Sequence, residues 1–310
     1  MGEYFSTFSF RGLFTPELLV ILFIVFLLYF YITRRMRHRF PLSEPQTPGQ
    51  DLMFVTGLTA IYFGWGGPLY ALGHMVFSVH MFQMVLVYIL AVPLILLALP
   101  RWLIQYLYEG LEEKVPVLHK IVFHPVLGLL LFNALFSFYH MPVVFDMLML
   151  NVGLHSIYEI ALLLAAMLMW WHMLSPLPTV DGLSDLRRIG YVFANGLLIT
   201  PACALIIFAG EPIYSTYTDP AVWSQVMAYC VPAGSDVPMS MFNTSNALLT
   251  LNTHLDQQLA GVLMKVMQEI AYGITIGYIF KQWLAKEKQQ DGELSINDIP
   301  AHMQTSERQS

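Results

Sequence analysis

The sequence predicts an all-α, polytopic membrane helix bundle of about seven transmembrane helices. Of its 310 residues, 56% are hydrophobic and only 12% are charged, whereas soluble domains carry about 25% charged residues. A soluble chain of this size could not cover so much apolar surface, so the lipid bilayer must be its main solvent. The second observation is a series of apolar runs of about 20 residues, the length that crosses a bilayer as a helix.

Seven runs meet this criterion along the chain. They lie near 17–33, 52–72, 76–99, 122–140, 152–173, 190–210 and 257–283. The first is followed at once by four arginines and has no small-residue cleavage site, which indicates an uncleaved span rather than a signal peptide. The second contains Gly64, Gly66, Gly67 and Pro68. Such residues predict close packing or a local bend, because neighbouring helices must then satisfy the backbone.

The remaining elements follow from composition. Trp170 and Trp171 end the fifth span, as an interfacial aromatic belt predicts. Between the sixth and seventh spans, the loop at 211–256 is long enough to hold short helices along the membrane surface. Residues 1–284 form the predicted transmembrane domain, and the polar segment 285–310 is predicted to be a disordered tail.

The distribution of lysine and arginine predicts the orientation. Loops 34–51, 100–121 and 174–189, together with the tail, carry thirteen of these residues, whereas the opposite side has Arg11 alone. Cytoplasmic loops carry the excess of positive charge. With seven spans, the N-terminus is therefore predicted outside and the C-terminus in the cytoplasm.

Several classes of function find no support in the sequence. The net charge is −6 and no basic patch covers a domain, so nucleic-acid binding has no electrostatic basis. Nucleotide-binding loops, the nucleophile elbow of hydrolases and the zinc-protease motif are all absent. No nucleophile–base pair can be assembled from spacing, so we predict that the protein is not an enzyme.

Candidate metal ligands gather at span ends on the predicted outer side. His80 and Met84 are four residues apart, as are His155 and Glu159, so each pair shares one helix face. His140 ends the fourth span, and we expect its imidazole to meet those of His80 and His155 in one pocket. Two further histidines in the same layer, His74 and His254, are possible additional ligands.

The chemistry of these side chains favours copper. Neutral imidazole is the commonest side-chain metal ligand, thioether sulfur suits Cu(I), and a carboxylate can orient an imidazole or bind metal directly. The alternative interpretation is structural, because methionine fills gaps in any apolar core and histidine is common at membrane interfaces. Ionisable groups at membrane depth are costly, which makes them functional candidates.

The motifs also resemble a known family. The segments SVHMFQM at 78–84, HMP at 140–142, EPIY at 211–214 and DQQLAG at 256–261, with the run from His155 to Glu159 followed by Trp170 and Trp171, resemble the bacterial cytochrome c oxidase assembly factor CtaG family. This is the polytopic type linked to caa-type oxidases. The resemblance extends from about 10 to 283.

The resemblance implies a role in making functional oxidase in the bacterial cell membrane, through assembly of its metal centres, with oxidase subunits as partners. It also implies histidine at the positions of Met84 and Glu159 in many relatives. Methionine keeps a soft Cu(I) ligand there, whereas glutamate is a harder one. Two other functions stay open at this point: a haem-binding electron carrier with two axial histidines, and a copper or proton transporter.

Overall fold

The computed structural model describes residues 7–40, 43–177, 182–232, 234–242 and 251–293, with side chains to residue 288. Within these ranges the chain is helical and contains no β-strand, which confirms the predicted all-α fold class. The α-helices are α1 Phe10–Phe14, α2 Pro16–Phe30, α3 Pro48–Trp65, α4 Gly67–Gly73, α5 Phe77–Met84, α6 Val92–Ala98, α7 Arg101–Lys114, α8 Pro116–Val122, α9 Pro125–Tyr139, α10 Pro142–Met149, α11 Val152–Leu174, α12 Asp185–Phe208, α13 Ser215–Thr218, α14 Pro220–Met227 and α15 Thr253–Glu293.

Six helical segments of the described chain are long and apolar enough to cross a membrane. They are Phe10–Arg39, Pro48–Gly73, Phe77–Ala98, Val152–Leu174, Asp185–Phe208 and Thr253–Lys288. The pair α8 and α9 also passes this test when taken together, but it is bent by 60°. Counting the bent pair as one span gives seven, in agreement with the prediction.

Proline and glycine explain where the spans depart from straight helices. Pro125 disfavours helical geometry in the residue before it, and His124 is extended with φ −75° and ψ 126°. The fourth span therefore bends at His124. It also begins earlier than the sequence predicts, at Pro116 rather than near residue 122. The second span breaks at Gly66, and Gly67 has a φ of +67°, a conformation that glycine adopts at little cost.

The third span lies at the centre of the bundle and the first at its edge. In the most apolar stretch of the third span, 61% of the residues are buried inside the protein. In the corresponding stretch of the first span, only 6% are buried. Around the third span, fully buried aromatic side chains such as Phe132, Phe136 and Trp170 form the main core. The first span therefore owes its place to lipid contact more than to protein packing.

The last helix is longer than the sequence predicts. The seventh span was expected to end near 283 and a disordered tail to begin at 285, but α15 continues to Glu293. The polar residues beyond 283 still have good helix propensity, so the helix runs on after its apolar segment ends. Residues 294–310 of the predicted tail lie outside the described chain.

The long loop between the sixth and seventh spans contains short helices, as expected, and is fastened to the bundle. Asp146 accepts hydrogen bonds from the backbone N–H groups of Ser215 (3.0 Å) and Thr216 (2.9 Å) at the start of α13. Tyr214 donates to the carbonyl of His140 at 2.8 Å. The hydroxyl of Tyr217 donates to the carbonyl of Gly73 at 2.7 Å. The loop therefore ties together the ends of α4 and α9.

At the other end of the bundle, the buried guanidinium of Arg188 caps α11. It donates to the carbonyl of Met173 from Nε (3.1 Å) and Nη2 (2.8 Å), and to that of Leu174 from Nη2 at 2.9 Å. Nη1 is paired with Asp185 at 2.9 Å. The last carbonyls of a helix lack partners within the helix, so Arg188, one of the residues that set the predicted orientation, also has a structural role.

Replacing Arg188 should destabilise the protein, whereas replacing its neighbour should not. Arg188→Gln removes the donors that cap the carbonyls at the end of α11, whereas Asp185 keeps its ion pair with Lys286 at 2.6 Å. We expect the free energy of unfolding to fall by about 1–3 kcal/mol, the cost of leaving buried hydrogen-bonding groups without a partner. Arg187 is exposed, so Arg187→Gln is the matched control. Thermal unfolding in detergent measures both, and equal midpoints for the two variants would contradict this role.

Candidate metal site

The first pair of predicted ligands, His80 and Met84, lies on α5. The start of this helix is fixed from a distance, because the carboxylate of Asp256 on α15 accepts hydrogen bonds from the N–H groups of Phe77 (2.8 Å) and Ser78 (3.2 Å). These N–H groups belong to the first turn and have no partner within the helix. The seventh span therefore sets the position of His80.

The second pair, His155 and Glu159, lies on α11. Here the cap is local: the side chain of Asn151 accepts a hydrogen bond from the N–H of Leu154 at 3.0 Å. Asparagine is among the best residues at this position. His155 therefore lies within the first turns of a helix that begins at a defined residue.

Both pairs face one small cavity, which we call the histidine cavity. Its lining includes the side chains of His74, His80, Gln83, Met84, His155 and Glu159. It has room for about one water-sized body. Gly73 keeps this space open, because a Cβ at that position would overlap the buried amide of Gln83.

Tyr139, the last residue of α9, joins the two histidine-bearing helices. Its hydroxyl oxygen lies 2.7 Å from Nε2 of His155 and 3.4 Å from Nε2 of His80. The ring of Tyr139 is nearly parallel to that of His80, with an interplanar angle of 3°. All three side chains are buried. The Nε2 atoms of two helices therefore converge on one hydroxyl oxygen.

Glu159 lines the same cavity without bonding to the nearer imidazole. Its Oε1 is 3.9 Å from Nε2 of His155, which is too long for a hydrogen bond. Its backbone carbonyl accepts from the hydroxyl of Tyr88 at 3.3 Å. The side chain of Glu159 therefore lies beside His155 in the cavity but does not orient it directly.

His74 also lines the cavity, and its Nε2 is the ring nitrogen that carries the lone pair. Its Nδ1 donates to the carbonyl of Tyr70 at 2.9 Å, so the proton is on Nδ1 and Nε2 carries the lone pair. Burial lowers the pKa of His74 below its usual value. The imidazole is thus neutral near pH 7, the form that binds metal ions.

The other two candidate histidines do not line the cavity. His140 donates from Nδ1 to the carbonyl of Phe136 at 2.8 Å and packs its ring against that residue. His254 contacts the carbonyl of Ala209 through Nε2 at 2.9 Å. The expectation that all three imidazoles of His80, His140 and His155 meet therefore holds for two of them. The Nδ1 bond holds the ring of His140 against its own helix, and its buried Nε2 has no hydrogen-bond partner in the described chain. Spacing alone does not indicate this local interaction.

As they stand, the donor atoms do not form a closed metal site. Within the described chain, no three histidine, cysteine, aspartate or glutamate side chains are arranged to hold a metal ion. The donors at the cavity are the imidazoles of His80 and His155 on one hydroxyl, the imidazole of His74, and the thioether of Met84 one turn from His80. Nitrogen and thioether donors fit a soft monovalent ion such as Cu(I). A metal role for His80, Met84, His140, His155 and Glu159 stays a prediction.

Most of the sulfur in the long outer loop belongs to packing. Met227 and Cys230 lie in a separate apolar cluster with Trp223. Burial raises the pKa of the Cys230 thiol to about 12, so the thiol is protonated, whereas metals bind the thiolate. This cluster therefore does not extend the candidate site.

Sequence analysis did not identify the structural roles of three polar residues of the site. The sequence analysis does not single out Tyr139 or Gln83, and it includes Asp256 only in the family-like segment at 256–261. A signal for Tyr139 exists, since a buried tyrosine hydroxyl usually needs a hydrogen-bond partner and this one precedes a histidine at a span end. The cap formed by Asp256 joins residues 179 positions apart, and no local pattern reveals such a contact.

Comparison with known proteins gives one finding. The family model described as cytochrome c oxidase caa3 assembly factor (Caa3_CtaG) matches residues 27–286. No curated protein and no solved structure matches the chain. The matched range includes both ligand pairs, Tyr139 and the capping residue Asp256.

Removing the cap on α5 should loosen the helix that carries His80. Asp256→Ala leaves two backbone N–H groups without their acceptor, and we expect the free energy of unfolding to fall by about 1–2 kcal/mol. The exposed Asp236 provides the control Asp236→Ala. Unfolding in detergent measures both changes, and hydrogen exchange at Phe77 and Ser78 localises the effect. Unchanged exchange at these two amides in Asp256→Ala would count against the cap.

Proposed function

This chain belongs to the cytochrome c oxidase caa3 assembly factor family, and from that premise we propose that it holds a copper ion in the histidine cavity and supports formation of a copper centre in the oxidase. The copper is cargo rather than a resident cofactor. The partners in this proposal are oxidase subunits in the bacterial cell membrane.

The convergence of His80 and His155 on one point is the observation that carries the proposal. Two imidazoles from different helices face the same hydroxyl, and Met84 adds a thioether one turn along α5. Delivery needs binding that captures the ion and then releases it. Imidazole and thioether ligands suit such exchange better than a closed cage of thiolates. The predicted orientation puts this end of the bundle outside the cytoplasm.

The size of the cavity argues against the haem alternative. A macrocycle needs space for a planar ring between its axial ligands, whereas the histidine cavity has room for about one water-sized body. The hydroxyl of Tyr139 already lies between the two imidazoles. A single ion fits this space far better than haem.

The apolar interior argues against continuous transport. The ten residues that follow Glu159 on α11, 160–169, are all apolar. On α9, the buried Phe136 separates Tyr139 from the polar Asn133. The charge of Lys265 is paired with Glu269 at 2.6 Å. Transport of ions or protons would need polar groups along the whole path, so a site at one end of the bundle favours binding and delivery.

Removing either imidazole should remove copper binding. We expect His80→Leu and His155→Leu to weaken Cu(I) binding by at least about tenfold, because even the groups that only support metal ligands contribute that much. His254→Leu, outside the cavity, should bind as the wild type does. Competition with a chromogenic Cu(I) chelator in detergent measures affinity. Wild-type protein that binds no Cu(I) would overturn the proposal.

The same variants test delivery in cells. In a strain lacking this gene, the copper content of the purified oxidase should fall. Complementation with the wild type or His254→Leu should restore it, whereas His80→Leu should not. Oxidase with full copper content in the deletion strain would show that the chain is not needed for copper assembly.

Substitution of Met84 tests the sulfur ligand. Met84→Leu keeps the volume but removes the thioether, and we expect Cu(I) affinity to fall several-fold, on the order of 3- to 30-fold. Met84→His should bind copper more tightly than Met84→Leu does. It should also bind divalent ions better than the wild type, since imidazole suits Cu(II) and Zn(II). Met81→Leu on the same helix is the matched control, because the buried Met81 does not line the cavity. Equal affinities for Met84→Leu and Met81→Leu would exclude Met84 as a ligand.

A further inference from the structure

We propose that the hydroxyl of Tyr139 is a placeholder for the ion: it occupies the point between His80 and His155 and must move aside when copper binds. This inference rests on the proposed copper site and adds how that site is opened. It assigns Tyr139 a positioning role rather than the role of a ligand.

The position of the hydroxyl is the first argument. The oxygen lies 2.7 Å from one Nε2 and 3.4 Å from the other, so the two imidazoles share it as a hydrogen-bond partner. A metal ion bound by both Nε2 atoms would need bonds of about 2 Å to each. Such an ion and the hydroxyl cannot occupy the same space.

Hydrogen-bond valence is the second argument. A hydroxyl has one proton to donate, so it can donate to only one of the two Nε2 atoms and must accept from the other. The Nε2 that accepts has its lone pair engaged by the hydroxyl. The other Nε2 carries the proton that it donates to the oxygen. In this arrangement neither Nε2 has a lone pair available for a metal ion.

The surroundings of Tyr139 explain why the hydroxyl stays there without metal. The side chain is fully buried, and its ring packs edge-on against Phe145 with centroids 5.6 Å apart. A buried hydroxyl or imidazole without a partner is costly. The bridge satisfies two imidazoles at once, so it closes the site when no ion is present. Copper binding exchanges these two hydrogen bonds for two metal–nitrogen bonds, and the proton on the Nε2 that donates to the hydroxyl moves to Nδ1 of the same ring, so that this imidazole stays neutral and gains a lone pair for the ion.

Tyr139→Phe tests this inference with little change in volume. The ring packing is kept and only the hydroxyl is lost, so both imidazoles become available. We expect Cu(I) affinity to rise about three- to tenfold, the range expected for removing hydrogen bonds that compete with the ion. The control is Tyr158→Phe, because the hydroxyl of Tyr158 bonds to the carbonyl of Leu135 and is not shared by the two histidines. This control should leave affinity unchanged.

A second measurement needs no metal. In protein labelled with ¹⁵N at histidine, Tyr139→Phe should shift the Nε2 signals of His80 and His155, whereas Tyr158→Phe should leave them in place. Unshifted signals would overturn the bridge itself.

The outcomes separate this inference from the proposed function. If wild-type protein binds Cu(I) and Tyr139→Phe binds it equally or more weakly, the placeholder is wrong and the copper site stands. Weaker binding would instead make the phenol a ligand. If neither protein binds Cu(I), the proposed function fails, and the placeholder fails with it.

Discussion

The hydroxyl of Tyr139, shared between His80 and His155, is the interaction on which the functional part of this structure depends. It brings side chains from α5, α9 and α11 to one point inside a helix bundle. Lipid offers no hydrogen bonds, so buried polar groups in such an interior need partners from the protein. Here the three side chains partner one another, and we propose that the small polar site they form exchanges its hydroxyl for an ion.

Polar contacts at helix ends hold this arrangement in register. In lipid, an apolar helix face gains little by contacting another helix instead of the acyl chains. Apolar packing alone therefore fixes the relative positions of the helices only weakly. Asp256 holds the start of α5 from α15, and Asp146 holds the outer loop over the ends of α4 and α9. Arg188 does the same at the opposite end of α11. These long-range caps give the apolar spans a defined depth relative to one another.

The sequence predicted the fold well, because composition and the length of apolar runs depend on the bilayer alone. It also predicted that His80 with Met84, and His155 with Glu159, would share helix faces, since helical spacing requires this. The bend before Pro125 and the extension of α15 to Glu293 were not predicted, because both depend on local backbone geometry at segment ends.

Side-chain direction was the harder part of the site. His140 bonds to a backbone carbonyl one turn earlier, and His254 contacts Ala209. Both were predicted at span ends on the same side of the membrane as the residues that line the cavity. Tyr139 was missed because a tyrosine in a span is usually part of the core. Its role appears only once two other helices are in place.

X-ray absorption at the copper edge of Cu(I)-loaded wild-type protein tests the central claim most directly. We predict a site with two imidazole nitrogens and one sulfur at short distance, and a decrease in imidazole scattering in His80→Leu. A site made of sulfur ligands only, or a spectrum that His80→Leu leaves unchanged, would contradict it.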